Sequence, residues 1–324
     1  MARKPDWEIP LLAQPKPEEF GFDLDRALLS VVGLTAHIPE DGFTAGILGT
    51  ERAGSGVLIR ESGVVLTIGY LIIEADTIWL NTADGRAVPG YALGYDQESG
   101  FGLVQALGRL ELPALPLGRS AGIAAGDPVI LAAGGRRQSV RASVVGTQEF
   151  AGNWEYLLEQ AIFTAPAHPF WGGSALIGRD GTLLGIGSLH VQQVTENGTP
   201  RDINMVVPID LLRPILDDLL TYGRRNKPAR PWLGLYATEG EGKIVVTGLS
   251  ERGPAATAGL RLGDVIWAVR DASVSSLADF YRKVWASGSA GTEIPMEVVR
   301  DGRTVWVRVK SGDRAAFLKA PRLQ

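Results

Sequence analysis

Histidine occurs only as His37, His168 and His190, and cysteine is absent. Proton transfer and nucleophilic attack at neutral pH therefore have few residues to draw on. His168 and Ser174 share the loop Ala165-Pro166-Ala167-His168-Pro169-Phe170-Trp171-Gly172-Gly173-Ser174. A serine with an imidazole in reach is the minimal equipment for acyl transfer. No carboxylate in that stretch is placed to orient the ring, so a turn histidine beside Pro169 and a small residue opening a strand is the competing reading. Metal chemistry has less support, because no two histidines have ligand spacing and thiolate zinc sites are excluded. No metal and no cofactor are expected. Asp217-Asp218 and Glu18-Glu19 are sequence neighbours that point apart, so neither makes an acid/base pair. Gly134-Gly135-Arg136-Arg137 has glycines and cations suited to an anion but lacks the phosphate-loop lysine and its helix, which favours a solvated turn.

The His168–Ser174 loop runs into the apolar segment Ala175-Leu176-Ile177, turns at Arg179-Asp180-Gly181 and returns as a second apolar segment, the layout of a buried hairpin. Short apolar runs closed by turn residues recur around it, at Gly56–Ile59, Val64–Thr67, Ile78–Leu80, Val88–Leu93, Gly102–Val104, Val129–Leu131 and Val140–Val145. Such spacing without long helices indicates an antiparallel sandwich or barrel, and we place this domain at residues 23–222. Asp23 is positioned to cap a short helix through Leu29, followed by a strand at Ser30–Leu34. Asp210 precedes the apolar stripe Leu211, Leu212, Ile215, Leu216, Leu219 and Leu220, which predicts a capped helix ending at Gly223. Residues 1–22 are rich in proline and charge and read as an N-terminal arm. Residues 223–231 are basic and broken by prolines, and read as a linker.

A second domain follows at 232–313, with a tail at 314–324. Strands are predicted at Trp232–Ala237, Lys243–Thr247, Asp264–Val269, Ile294–Arg300 and Thr304–Lys310. Gly253–Leu260 carries proline in its first turn and a glycine stop, and Ser276 caps a helix reaching Trp285 with Leu277, Phe280, Tyr281 and Val284 inward. This is a small α+β unit.

Composition narrows the function. A net charge of −4 with 21% charged residues supplies no broad basic field, so nucleic acid is not an expected partner. No apolar run approaches the roughly 20 residues of a membrane helix. Met1-Ala2-Arg3-Lys4 is followed by no apolar signal core, which points to the cytoplasm as the sequence stands and to the periplasm if its start has been trimmed.

Two motif sets coincide in order. Gly54-Ser55-Gly56-Val57-Leu58-Ile59, Leu66-Thr67, Gly126-Asp127-Pro128-Val129, the loop at 169–187 and Ile203–Pro208 resemble the protease domain of the high-temperature-requirement A (HtrA) family. Trp232-Leu233-Gly234-Leu235 and Gly253–Ile266 resemble that family's PDZ domain. The resemblance implies a mainly β protein, a trypsin-like double β-barrel followed by an α+β PDZ domain. It also implies where catalytic residues belong, and each position departs from the pattern. Tyr70 stands where the family has its general-base histidine, Gly100 where it has the orienting aspartate, and Gly172 where it has the nucleophilic serine. The expectation is a catalytically inactive pseudoprotease acting as a peptide- or protein-binding scaffold, chaperone-like or regulatory. The alternative is an active endopeptidase using Ser174 with His168. Peptide binding is expected at Trp232, Leu233, Gly234, Leu235, Tyr281 and Val284, with unfolded segments or an active relative as partners. By the same resemblance the protein is expected to be a homo-oligomer, a trimer, with Trp7, Phe20 and Phe22 as candidate contacts.

Overall fold

The computed structural model describes residues 8–194 and 197–319, so Trp7 lies outside the described residues. The described residues divide into two compact units, one within 8–148 and 160–225, the other of 149–159 and 226–319.

In the first unit, α1 (Leu24–Leu28) is capped by Asp23, whose side chain accepts from the Arg26 amide. Six antiparallel strands close a barrel: β1 (Val31–His37), β2 (Glu51–Arg60), β3 (Val64–Ile68), β4 (Thr77–Asn81), β5 (Ala87–Tyr95) and β6 (Phe101–Ala106). The one-turn α2 (Ala45–Leu48) lies between β1 and β2. Closure comes from β1, which pairs with both β2 and β4. A sheet closed in this way has no free edge, and its inward positions, among them Leu34, Leu58, Leu66, Leu80 and Leu103, are fully buried. A second barrel is built from β7 (Pro128–Ala132), β8 (Ser139–Gly152), β9 (Tyr156–Ala165), β10 (Ala175–Ile177), β11 (Leu183–Val194) and β12 (Pro200–Pro208), closed by β7 pairing with β10.

Several expectations are corrected here. Part of the N-terminal arm is docked: Ile9 is buried in the second barrel's core with Val129, Leu131 and Val140, and its amide donates to Arg137 O. The Phe20 and Phe22 rings lie 5.5 Å apart, tilted by 54°, and Phe22 packs on Gly181. The helix expected from Asp210 is split into a 3-10 turn, Ile209–Leu211, and α3 (Leu216–Tyr222). Pro214 interrupts the amide ladder between them, and the Asp210 carboxylate binds the Ala121 amide instead of capping. Gly223 ends α3 in the left-handed conformation, as expected.

The second unit holds one open sheet in the order β13 (Leu235–Gly240), β14 (Lys243–Leu249), β15 (Val265–Val269), β17 (Glu293–Arg300), β18 (Arg303–Lys310), with β16 (Ala272–Ser273) paired to β15. Between them come α4 (Pro254–Thr257) and α5 (Leu277–Ala286). Ser276 caps α5 as expected, its hydroxyl accepting from the Asp279 amide. The first strand starts at Leu235 rather than Trp232, because Gly234 takes φ of +73° and turns the chain out of extended geometry. The tip of the β8–β9 hairpin, Glu149–Glu159, packs within this unit, and Leu157 is part of its core with Leu233, Tyr281 and Val284.

If Ile9 is a core residue, Ile9→Ala lowers unfolding free energy by about 2–3 kcal/mol. A chemical denaturation midpoint unchanged from wild type contradicts the docking of this segment.

Candidate functional site

Tyr70 lies on the 3-10 turn Gly69–Leu71 that follows β3. Buried Arg52 holds this turn, donating to Tyr70 O at 2.8 Å, Ile73 O at 3.2 Å and Thr44 Oγ1 at 2.8 Å. Glu74 completes the support by accepting from the Phe43 and Thr44 amides at 2.8 and 2.7 Å. The turn thus presents Tyr70 from a backbone with its carbonyls satisfied.

A second support reaches the same turn from the β5–β6 connection. Arg225 grips Asp96 with two bonds of 2.7 Å, and Asp96 accepts from the Ser99 amide at 2.7 Å. Gly100 N donates to Asp96 O at 2.8 Å, and Gly100 O accepts from Gly69 N at 2.7 Å. Gly100 itself has φ of +83°, a conformation that side-chain-bearing residues rarely adopt. Arg225, expected in a linker, is therefore a structural member of the first unit. Burial pushes the Asp96 carboxyl up, but the Arg225 bonds and charge, with Ser99, outweigh it and hold the group below 3.8.

Tyr70, Gly100 and Gly172 are brought together. The Tyr70 hydroxyl donates to Ser188 O at 2.8 Å, and it stands 2.8 Å from where a β-carbon on Gly172 would lie. The phenol thus occupies the space a side chain at 172 would need. Burial raises its pKa above the ordinary value of 10.0, a hydrogen bond with the Trp171 side chain opposing the shift. The loop carrying Gly172 is held to the first barrel by Ser55 N donating to Gly172 O at 2.8 Å. Gly173 follows with φ of +78°, where a β-carbon would lie 1.9 Å from Ser55 O, so only glycine fits.

His168 and Ser174 are both fully buried, yet each is committed elsewhere. His168 Nδ1 accepts from the Phe170 amide at 3.0 Å, which makes Nε2 the protonated nitrogen that donates to Gln138 O at 3.0 Å. Burial lowers the imidazole pKa from its usual 6.5. The Ser174 hydroxyl donates to Trp171 O at 2.8 Å. In a trypsin-like site the oxyanion donors are the amides of the nucleophile position and of the residue two before it. Were Gly172 at the nucleophile position, as the family resemblance implies, the latter would be Phe170, whose amide donates to His168.

The Gly134–Arg137 turn lines a cavity of about 770 Å³ with Glu8, Asp25 and Asn81. Its cations are matched within the chain, Arg136 by Asp25 and Arg137 by Glu8. Among the described residues no cluster of histidines and carboxylates is arranged to hold a metal.

In the second unit the Trp232–Leu235 loop presents its amides toward one point, and that point is occupied. Glu155 Oε2 accepts from Leu233 N at 2.9 Å, and Oε1 from Gly234 N at 2.7 Å and Leu235 N at 3.2 Å. The expected open groove is thus filled. Leu233, Leu235, Tyr281 and Val284 are buried, and the Tyr281 hydroxyl donates to Gly152 O at 2.7 Å while accepting from Glu155 N at 3.2 Å. Burial raises the Glu155 carboxyl to about 7, the three loop amides and Arg314 opposing the rise. Glu155 escaped the sequence reading because a glutamate at a hairpin tip beside Gly152-Asn153 looks like any solvated turn residue.

Known proteins resemble both units. Residues 54–186 match the trypsin-like peptidase domain and residues 231–310 the PDZ domain. A probable periplasmic serine endoprotease DegP-like of Pseudomonas fluorescens is 29% identical over 276 residues, covering 81% of this chain and 56% of that protein. Serine endoprotease DegS of Salmonella typhimurium is 26% identical over 321 residues, covering 90% of this chain and 85% of that protein. The solved structure of HtrA-type protease AlgW with tripeptide aligns with a TM-score of 0.52 at 26% identity, covering 92% of this chain and 97% of that one. The chain spans little more than half the length of the DegP-like relative.

Two outcomes test the geometry. Gly172→Ala costs about 1–2 kcal/mol in the wild type through overpacking against the phenol, and much less in a Tyr70→Phe background; equal costs in denaturant titrations contradict the contact. Asp96, held low when folded, contributes stability that is complete above 3.8 and is lost as pH falls through its lower folded value. Arg225→Met therefore removes about 3 kcal/mol at neutral pH and flattens the acid limb of the stability curve. An unchanged acid limb argues against the pair.

Proposed function

Because this chain pairs a trypsin-like peptidase domain with a PDZ domain, the HtrA-type combination, we propose that it is a non-catalytic, peptide-binding scaffold of that kind. The observation that carries this reading is the Tyr70 hydroxyl lying 2.8 Å from the place a Gly172 side chain would take. A relay needs an attacking oxygen, a base near neutrality and a carboxylate to orient it. Glycine at 172 and 100 offers neither oxygen nor carboxylate, and a buried phenol with a raised pKa is no base at pH 7. The Phe170 amide, turned to His168, leaves an oxyanion one donor short.

The Ser174–His168 alternative is weakened by the same contacts. His168 has no lone pair left for the Ser174 proton, since Nδ1 already accepts and Nε2 carries the hydrogen. Peptide recognition is the remaining use of the fold: backbone amides at Leu233, Gly234 and Leu235 suit a carboxylate, and β13 is an edge strand suited to an added peptide strand. Unfolded segments or an active relative are the partners this reading names.

A fluorophosphonate probe tests it directly. We expect no labelled serine, because loss of nucleophile or base alone lowers turnover about a millionfold in a well-studied serine protease. Labelling at one site that Ser174→Ala abolishes overturns the proposal.

A further inference from the structure

We propose that the tip of the β8–β9 hairpin is a built-in ligand of the PDZ groove, with the Glu155 side chain standing in for a peptide's C-terminal carboxylate, so that outside peptides bind by displacing it. The inference rests on reading the Trp232–Leu235 loop as a carboxylate receptor.

A peptide-binding groove of this type has three walls: a loop of amides, an edge strand and a helix. Each wall is engaged by the hairpin. The loop amides of Leu233, Gly234 and Leu235 bind the Glu155 carboxylate. The edge strand β13 donates from Ala237 N to Asn153 O at 3.0 Å, the type of main-chain bond an added strand makes. The helix α5 supplies Tyr281, which bonds the hairpin backbone at Gly152 and Glu155. Leu157 enters the apolar cluster between them.

The hairpin is shaped for this use. Glu155 has φ of +59°, a conformation rare for a residue with a β-carbon, and it aims the carboxylate back into the loop. A glutamate serving only as a turn residue gains nothing from being 5% exposed with both oxygens on backbone amides. Trp154 stacks on Tyr156 at 5.6 Å, stiffening the tip. At its flank Arg282 of α5 bonds both Glu149 and Glu159, one on each hairpin strand. These contacts form one continuous footprint from carboxylate to flank, covering the loop, strand and helix that an extended peptide would use. Displacement leaves none of the three loop amides orphaned, because an incoming C-terminal carboxylate satisfies them.

The test is fluorescence anisotropy on the full chain with labelled peptides ending in a free apolar C-terminal residue, and with the same peptides amidated. We expect weak binding to wild type and binding about tenfold tighter or more for Glu155→Ala, the gain vanishing for amidated peptides. Arg282→Ala, at a partly exposed position away from the loop, loosens the hairpin alone and tightens binding by about threefold. Equal affinity of the wild type and both variants overturns the internal ligand while leaving peptide recognition intact. A gain that persists with amidated peptides overturns carboxylate mimicry. No binding to any of the three proteins overturns both this inference and the peptide-binding reading above.

Discussion

A phenolic hydroxyl pressed against an α-carbon without a side chain is the contact on which the first unit's character depends. It requires glycine at 172, since any β-carbon there meets Tyr70, and it requires the Gly69–Leu71 turn to be held in place. Arg52 and Glu74 hold that turn from one side, and the chain of bonds from Arg225 through Asp96 and Gly100 to Gly69 holds it from the other. Charged side chains beside the turn are devoted to fixing its backbone. Such buried ionic networks add little net stability over apolar packing, but they are costly to break singly.

The second unit repeats the theme with the opposite result. Its loop amides at Leu233, Gly234 and Leu235 converge on one carboxylate, that of Glu155. Backbone recognition tolerates changes of side chain far better than a relay that needs three particular functional groups.

The barrels were legible because short apolar runs closed by Asp-Gly or Ser-Gly turns mark strands directly, as at Val64–Ile68 and Leu183–Val194. The α5 helix was legible from Ser276 and its inward stripe. What stayed hidden depends on contacts far apart in the chain. Arg225 reads as one cation in a basic linker until Asp96 is seen beside it. Pro214 splits a helix whose leucine spacing alone predicts continuity. Ile9 sits in a proline-rich stretch and shows its role only when the second barrel surrounds it. Motif order singled out Tyr70, Gly100 and Gly172, but that a phenol lies where a side chain at 172 would stand required geometry. Glu155 had no sequence signal at all, since its partners lie about 80 residues later.

The most direct measurement is the number of peptide bonds cleaved per protomer when purified protein is incubated with an unfolded polypeptide and the products are followed by mass spectrometry. A count indistinguishable from a buffer control over days is expected. More than one bond cut per protomer, resistant to repeated purification and lost on substituting Ser174 or His168, contradicts it.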